Sequence, residues 1–129
     1  MLPFSVSLQP GEPLFEQVVY AVTRAIVTGQ LRVEDPFPSV RTLSRELKIN
    51  PNTAHRIVAA LVDEGLLQVR PGIGTVVAQG RPGGMAARRA LLEDEAERLV
   101  VEAKRTGLGL QDVIAAVRRH WNRVVRRSA

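Results

Sequence analysis

The sequence predicts a mostly α-helical protein: an N-terminal winged helix-turn-helix of three helices and a β-hairpin wing, then a two-helix C-terminal tail. Three observations predict it. Two short amphipathic helices meet at a brief turn around Lys48-Ile49, and the second has a small, polar outward side. Two runs that alternate or carry β-branched residues follow at once, separated by Pro71-Gly72-Ile73-Gly74. Beyond a glycine- and proline-rich stretch at 80–84 the pattern becomes wholly helical. The expected organisation is a DNA-binding domain at 1–79, a linker at 80–84 and a tail at 85–129.

Met1 to Gly11 holds Pro3 and Pro10 and is expected to lead in as an extended arm. Pro13 stands at a helix start, and Leu14, Val18, Val22 and Ile26 repeat every four residues as a core-packing stripe. Gly29 ends that helix, because glycine takes the left-handed conformation at no steric cost. Gln30 to Pro38 is a turn region. Ser39 is placed to cap a second helix, Val40 to Leu47, with Val40, Leu43 and Leu47 facing inward. The turn after it has no glycine to ease the corner.

The stretch Asn50–Glu64 carries the functional expectation. Asn50 can accept hydrogen bonds from the free amides of a helix start, and Pro51 suits the first helical position. At 100° per residue Ala54, Ile57, Val58 and Leu61 fall on one side. Asn52, Thr53, His55, Arg56, Ala59, Ala60 and Asp63 fall on the other. A merely solvated helix would carry Lys and Glu there. Short donors and acceptors, one firm positive charge and alanines suit a helix lying in a DNA groove.

Gly65 stops this helix, and Leu66–Arg70 and Thr75–Ala78 form a hairpin with an expected four-residue loop, Pro71–Gly74. Its tip is basic at Arg70 and bare at Gly72 and Gly74, which suits a phosphate ridge or a minor groove; any tight turn would use the same glycines. After the linker, Met85 to Arg105 reads as one unbroken helix with Leu92, Ala96, Leu99 and Ala103 on a stripe. Thr106-Gly107-Leu108-Gly109 breaks it. A second helix runs from Leu110 to about Arg126, with Val113, Val117, Trp121 and Val124 or Val125 at helical spacing. A tail of 45 residues cannot bury two apolar stripes alone. It must pack on the winged helix or on a second copy, and the latter gives a two-fold dimer held by Leu92, Leu99, Val113, Val117 and Trp121.

Composition bounds the rest. The 129 residues carry 18 basic and 13 acidic side chains, a net of +5 that suits an anionic partner without naming one. Up to Gly84 there are 8 basic and 7 acidic residues, so the excess sits mostly in the tail, where Arg118, Arg119, Arg123, Arg126 and Arg127 read as a solvated face. No cysteine is present, which excludes disulfides, thiolate metal sites and thiol nucleophiles. No apolar run reaches the roughly 18–20 residues of a membrane span, and no secretion signal opens the chain, so a cytoplasmic protein is expected. The two histidines, His55 and His120, have no catalytic constellation around them, and Glu93, Asp94, Glu95 and Glu97 cluster where a helix dipole favours carboxylates. An enzyme, a metal and a cofactor are not expected.

The series Pro13-Leu14-Phe15-Glu16-Gln17, Gly29-Gln30-Leu31, Pro38-Ser39-Val40-Arg41, Asn52-Thr53, Glu64-Gly65-Leu66 and Gly72-Ile73-Gly74-Thr75 resembles GntR-type regulators in order and spacing. The Asn50-Pro51-Asn52-Thr53 start and the short tail resemble the small YtrA-type branch, whose members are homodimeric one-component repressors often encoded beside transporter genes. The resemblance implies that Arg41 meets DNA at the start of the second helix. It also implies that Asn52, Thr53, His55 and Arg56 lie at the major groove and that Gly72 and Gly74 bring the wing to the minor groove or its phosphates. With Ser39, Asn50, Arg70 and Thr75 these make the candidate DNA-binding set. Three departures stand out. Glu34 replaces a customary glycine in the first loop, so that loop is expected to be reshaped. Pro51 and His55 stand where many relatives carry a guanine-reading arginine, so their operator cannot be copied to this chain. The short tail differs from larger relatives, and a large ligand domain is not expected.

The leading expectation is a repressor that binds a near-palindromic double-stranded operator as a dimer, its recognition helices roughly 34–36 Å apart, with an unidentified small-molecule effector allowed. A non-specific architectural DNA binder and a winged helix used for protein contact are the alternatives. Low sequence discrimination and near-total loss of binding in salt would mark the first alternative.

Overall fold

The computed structural model describes residues 1–80 and 84–124, which form two compact units. Pro82 and Gly83 of the expected linker, and Val125, Arg126 and Arg127, lie outside the described residues.

In the first unit, α1 spans Leu14–Val27, α2 Val40–Leu47 and α3 Pro51–Asp63, followed by β1 at Leu67–Arg70 and β2 at Gly74–Val77. Val18, Val22 and Ala25 of α1, Leu43 of α2, and Ala54, Ile57 and Leu61 of α3 are buried in one core. Leu31, Phe37, Leu67 and Val77 close it. Leu14 and Ile26 sit at the ends of the α1 stripe and stay half-buried, so Ala25 takes the central place expected for Ile26. The arm is extended but not loose. Phe4 is 4% exposed and stacks on Phe37 with ring centroids 5.7 Å apart, while Leu2, Val6 and Leu8 pack beside it. The N-terminal ammonium pairs with Glu46 of α2, and that hydrogen bond, then its charge, hold the Glu46 carboxyl below its usual range.

Two turns use left-handed backbone without glycine. Lys48, between α2 and α3, has φ 55°. Its amide donates to the Ser44 carbonyl, and the Ser44 hydroxyl donates to the Ile49 carbonyl at 2.7 Å. The helix-turn-helix corner is thus held by Ser44 and by the half-buried Ile49 rather than eased by a glycine. Glu34 has φ 73°, so the first loop keeps the conformation a glycine would take. That loop is pinned by the Glu34 amide to the Val77 carbonyl (2.8 Å), the Val77 amide to the Asp35 carbonyl (2.9 Å) and the Phe37 amide to the Thr75 carbonyl (2.8 Å). The segment 34–37 therefore runs beside β2 as an irregular third strand, through a bridge between Pro36 and Val76.

The hairpin pairs antiparallel from Leu67 with Val77 to Arg70 with Gly74. Gly74 belongs to β2, so the loop has three residues, Pro71–Ile73, and not four. The Ile73 amide donates to the Arg70 carbonyl at 3.0 Å, with proline second and Gly72 third at φ 79°. This is the pattern of a type II turn, which demands positive φ at its third residue.

In the second unit, Met85 to Arg105 is helical throughout but not uniformly α: α4 covers Met85–Arg89, a π-helical segment Ala90–Glu95, and α5 Ala96–Arg105. The wider π turn interrupts the 3.6-residue spacing on which the expected stripe rested. Of Leu92, Ala96, Leu99 and Ala103, only Ala103 is buried. Gly107, at φ 80°, ends α5, and α6 runs Leu110–Arg123, started by a hydrogen bond from the Gly109 amide to Asp112 at 2.9 Å. Leu92, Leu110 and Trp121 are 70%, 70% and 78% exposed.

Replacing Phe4 by alanine should cost about 3 kcal/mol, in line with buried phenylalanines elsewhere; urea unfolding checks it, and a cost below about 1 kcal/mol would remove the arm from the core. Lys48→Gly should instead stabilise the first unit, by about 0.5–1 kcal/mol, since the left-handed penalty of a side chain slightly exceeds the entropic cost of glycine. A lower melting temperature for Lys48→Gly would contradict the strain argument.

Candidate nucleic-acid interface

The start of α3 is built by its caps. The Asn50 side chain accepts from the Asn52 amide at 2.8 Å, and Pro51 occupies the first turn where no donor is required. With Ala54, Ile57 and Leu61 buried, the helix has one permitted rotation, and it leaves Asn52, His55 and Arg56 exposed. Thr53 is half-buried at the edge of that face. The Asn52 and His55 side chains are therefore presented to solvent beside the small side chain of Ala59, with no acidic residue among them. An asparagine can bond an adenine edge with donor and acceptor together, and an imidazole can serve as donor or acceptor.

Arg56 differs from the expectation of a free groove residue. Its guanidinium lies over the Phe15 ring, 5.3 Å from the centroid, so it is held toward α1 by a cation–π contact. Ser39 accepts from the Thr42 amide at 3.1 Å and donates its hydroxyl proton to the Thr42 side chain at 3.0 Å. Ser39 and Asn50 thus serve first as helix caps. Arg41 is exposed in the first turn of α2, with Arg45 exposed one helical turn further on. Lys48 is exposed in the corner between α2 and α3. Arg45 and Lys48 are not among the sequence-derived candidates, although the four-residue spacing of Arg41 and Arg45 places both arginines on one helix face.

The wing departs most from its expected chemistry. Arg70 is drawn into an ion pair with Glu34, across a sheet in which Arg70, Gly74 and Val76 share one face by register. Its Nε is buried with no hydrogen-bond partner among the described residues, and its side chain is 39% exposed. The charge expected at the wing tip is directed back toward the first loop. Gly72 and Gly74, at φ 79° and 117°, are exposed, and a Cβ at either would meet open space, so conformation and not crowding requires them. Thr75 is half-buried, and its carbonyl is taken by Phe37.

The expected dimer residues lie in the second unit. Leu92, Leu99, Val117 and Trp121 are exposed and Val113 is half-buried. Val113, Ile114, Val117 and Trp121 line a shallow apolar hollow along α6. Among the described residues no group of three His, Cys, Asp or Glu side chains could hold a metal ion, and no helix is long and apolar enough to cross a membrane.

This arrangement has relatives of known type. The chain is 26% identical over 110 residues to the uncharacterized HTH-type transcriptional regulator YhcF of Bacillus subtilis (strain 168), covering 85% of this chain and 91% of that protein. It is 24% identical over 100 residues to the HTH-type transcriptional repressor YtrA of the same organism, covering 77% of each. The crystal structure of a transcriptional antiterminator from Listeria monocytogenes EGD-e superposes with a TM-score of 0.80 at 17% identity, covering 98% of this chain and 95% of that one, a likeness of fold. Residues 7–77, which contain α1, α2, α3 and the wing, match the model of bacterial regulatory proteins of the gntR family, and the chain belongs to that family of transcriptional regulators.

Proposed function

We propose that the protein is a one-component repressor that binds a near-palindromic operator as a homodimer. The observation that carries this reading is the forced rotation of α3, which leaves Asn52 and His55 outward in its first turns, with Asp63, the acidic residue of that side, at the far end of the helix. Residues 1–79 act as the DNA-binding domain, 80–84 as a linker and 85–129 as the dimerisation segment. Asn52 and His55 read base edges in the major groove, with Thr53 at the margin. Arg41, Arg45 and Lys48 are exposed cations around the same helix pair and supply phosphate contacts. YtrA, similar over most of both chains, is named a repressor, and binding that excludes polymerase accounts for such an effect.

The dimer reading rests on unpartnered apolar surface. Leu92, Leu99, Val117 and Trp121 are all exposed in the single chain, and a second copy is the partner that covers identical stripes symmetrically. The hollow lined by Val113, Val117 and Trp121 is the place at which a small apolar effector would alter that contact.

Fluorescence anisotropy against duplex DNA from upstream of its own gene, beside a scrambled duplex, tests the DNA reading. A gap of roughly a thousandfold or more is expected. Asn52→Ala should lose about 1–3 kcal/mol on the specific duplex with little change on the scrambled one, whereas Arg41→Ala should weaken both and flatten the salt dependence. Equal binding of both duplexes by the wild type would favour an architectural role. Analytical ultracentrifugation tests the dimer: Trp121→Asp should shift a dimer toward monomer, and a wild-type monomer at micromolar concentration would end the dimer reading.

A further inference from the structure

The wing tip holds an unusual combination of side chains for a surface that meets a polyanion. Its one cation, Arg70, is paired with Glu34 and turned toward the base of the hairpin. What projects from the turn is Ile73, 75% exposed, with Val69 60% exposed on the adjoining strand. Ile73 is not exposed by looseness. The Ile73 amide is bonded to the Arg70 carbonyl, and Gly72 and Gly74 hold it between two positive-φ positions.

Resting on the DNA-binding reading above, we propose that Ile73 is a specificity-determining contact of the wing, seated against the floor of the minor groove, while Glu34 keeps Arg70 out of phosphate contact. A phosphate ridge offers an apolar side chain nothing, because recognition there needs charge or a donor. The minor groove offers sugar C–H walls and base edges, and apolar wedges that enter it partly unstack a base step. Unstacking costs least at flexible pyrimidine–purine steps, TA above all. The wing therefore reads deformability, and Ile73 confers a preference for such a step beneath the tip. Glu34 matters because a released Arg70 would add sequence-independent attraction and dilute that preference. The left-handed backbone at Glu34 places a carboxylate where glycine would leave none.

The test is selection from a random-sequence duplex library with the full-length wild type, Ile73→Ala and Glu34→Gln. Ile73 is exposed, so its truncation leaves the core intact. The wild type should enrich pyrimidine–purine steps at fixed positions flanking the bases read by α3. Ile73→Ala should recover the same central bases, lose the flanking preference and bind the wild-type consensus about tenfold more weakly at unchanged salt dependence. Glu34→Gln should steepen the salt dependence by about one phosphate contact, a slope change of roughly 0.9. A flanking preference retained by Ile73→Ala, or an unchanged slope in Glu34→Gln, would overturn the corresponding half of the proposal. Wild-type protein that selects no sequence at all would overturn it together with the DNA-binding reading itself.

Discussion

The rotation of α3 about its own axis is the constraint on which the functional surface depends. Ala54, Ile57 and Leu61 are wholly buried against a core supplied by Val18 and Val22 of α1 and Leu43 of α2. Burying a leucine- or isoleucine-sized side chain contributes about 1.5–3 kcal/mol, so exposing even two of them exceeds a large part of a small domain's stability. A rotation by one residue would carry His55 into the core and lift Ala54 into water. The outward placement of Asn52 and His55 is thus a consequence of packing on the opposite side, and the caps at Asn50 and Gly65 fix where that face begins and ends.

The wing is positioned by backbone pairing that reaches back across the helices. Its two strands alone would make a marginal hairpin. Segment 34–37 adds a third, irregular strand through the Glu34, Phe37 and Val77 amides, and Phe37 carries that pairing into the core, where Phe4 stacks on it. The arm, the first loop and the wing are therefore mechanically one piece. The Glu34 amide, at φ 73°, bonds the Val77 carbonyl, and from that backbone its side chain lies within reach of Arg70.

Most of this was legible in the sequence because it rests on short-range rules. The stripes of α1, α2 and α3 follow from helical periodicity, Ser39 and Asn50 cap where their side chains allow, and Gly29 and Gly65 sit at positive φ after their helices. What escaped depends on long-range partners or on residues outside their preferred conformations. Phe4 is one aromatic in a proline-bearing stretch, with no period to reveal that Phe37 lies over it. The partner of Arg70 is 36 residues away, and nothing local distinguishes an arginine facing a phosphate from one held by a carboxylate. Phe15 likewise claims Arg56 from a different helix. Gly74 reads as loop by residue type, yet its pairing with Arg70 places it in β2. In the tail, the π segment Ala90–Glu95 has no sequence signature, since the same residues satisfy an α pattern.

The tail then raises an energetic point that periodicity alone cannot reach. A helix shorter than about 12–15 residues is marginal in water without tertiary packing. The helical run Met85–Arg105 has 21 residues but is broken by the π segment, α6 has 14, and among the described residues of this unit only Ala103 is buried. Local devices contribute: Gly107 terminates α5, and Asp112 holds the Gly109 amide at the start of α6. Such caps are worth about 1 kcal/mol each, while each ordered residue costs about 1–2 kcal/mol of backbone entropy. Covering Leu92, Leu99, Val117 and Trp121, all exposed in the described residues, would tip that balance toward order. In the proposed dimer, order in the tail and its association would then be one equilibrium. On that proposal, any ligand that favoured either the covered or the uncovered state of the α6 hollow would shift the equilibrium, and with it the number of reading heads presented to DNA.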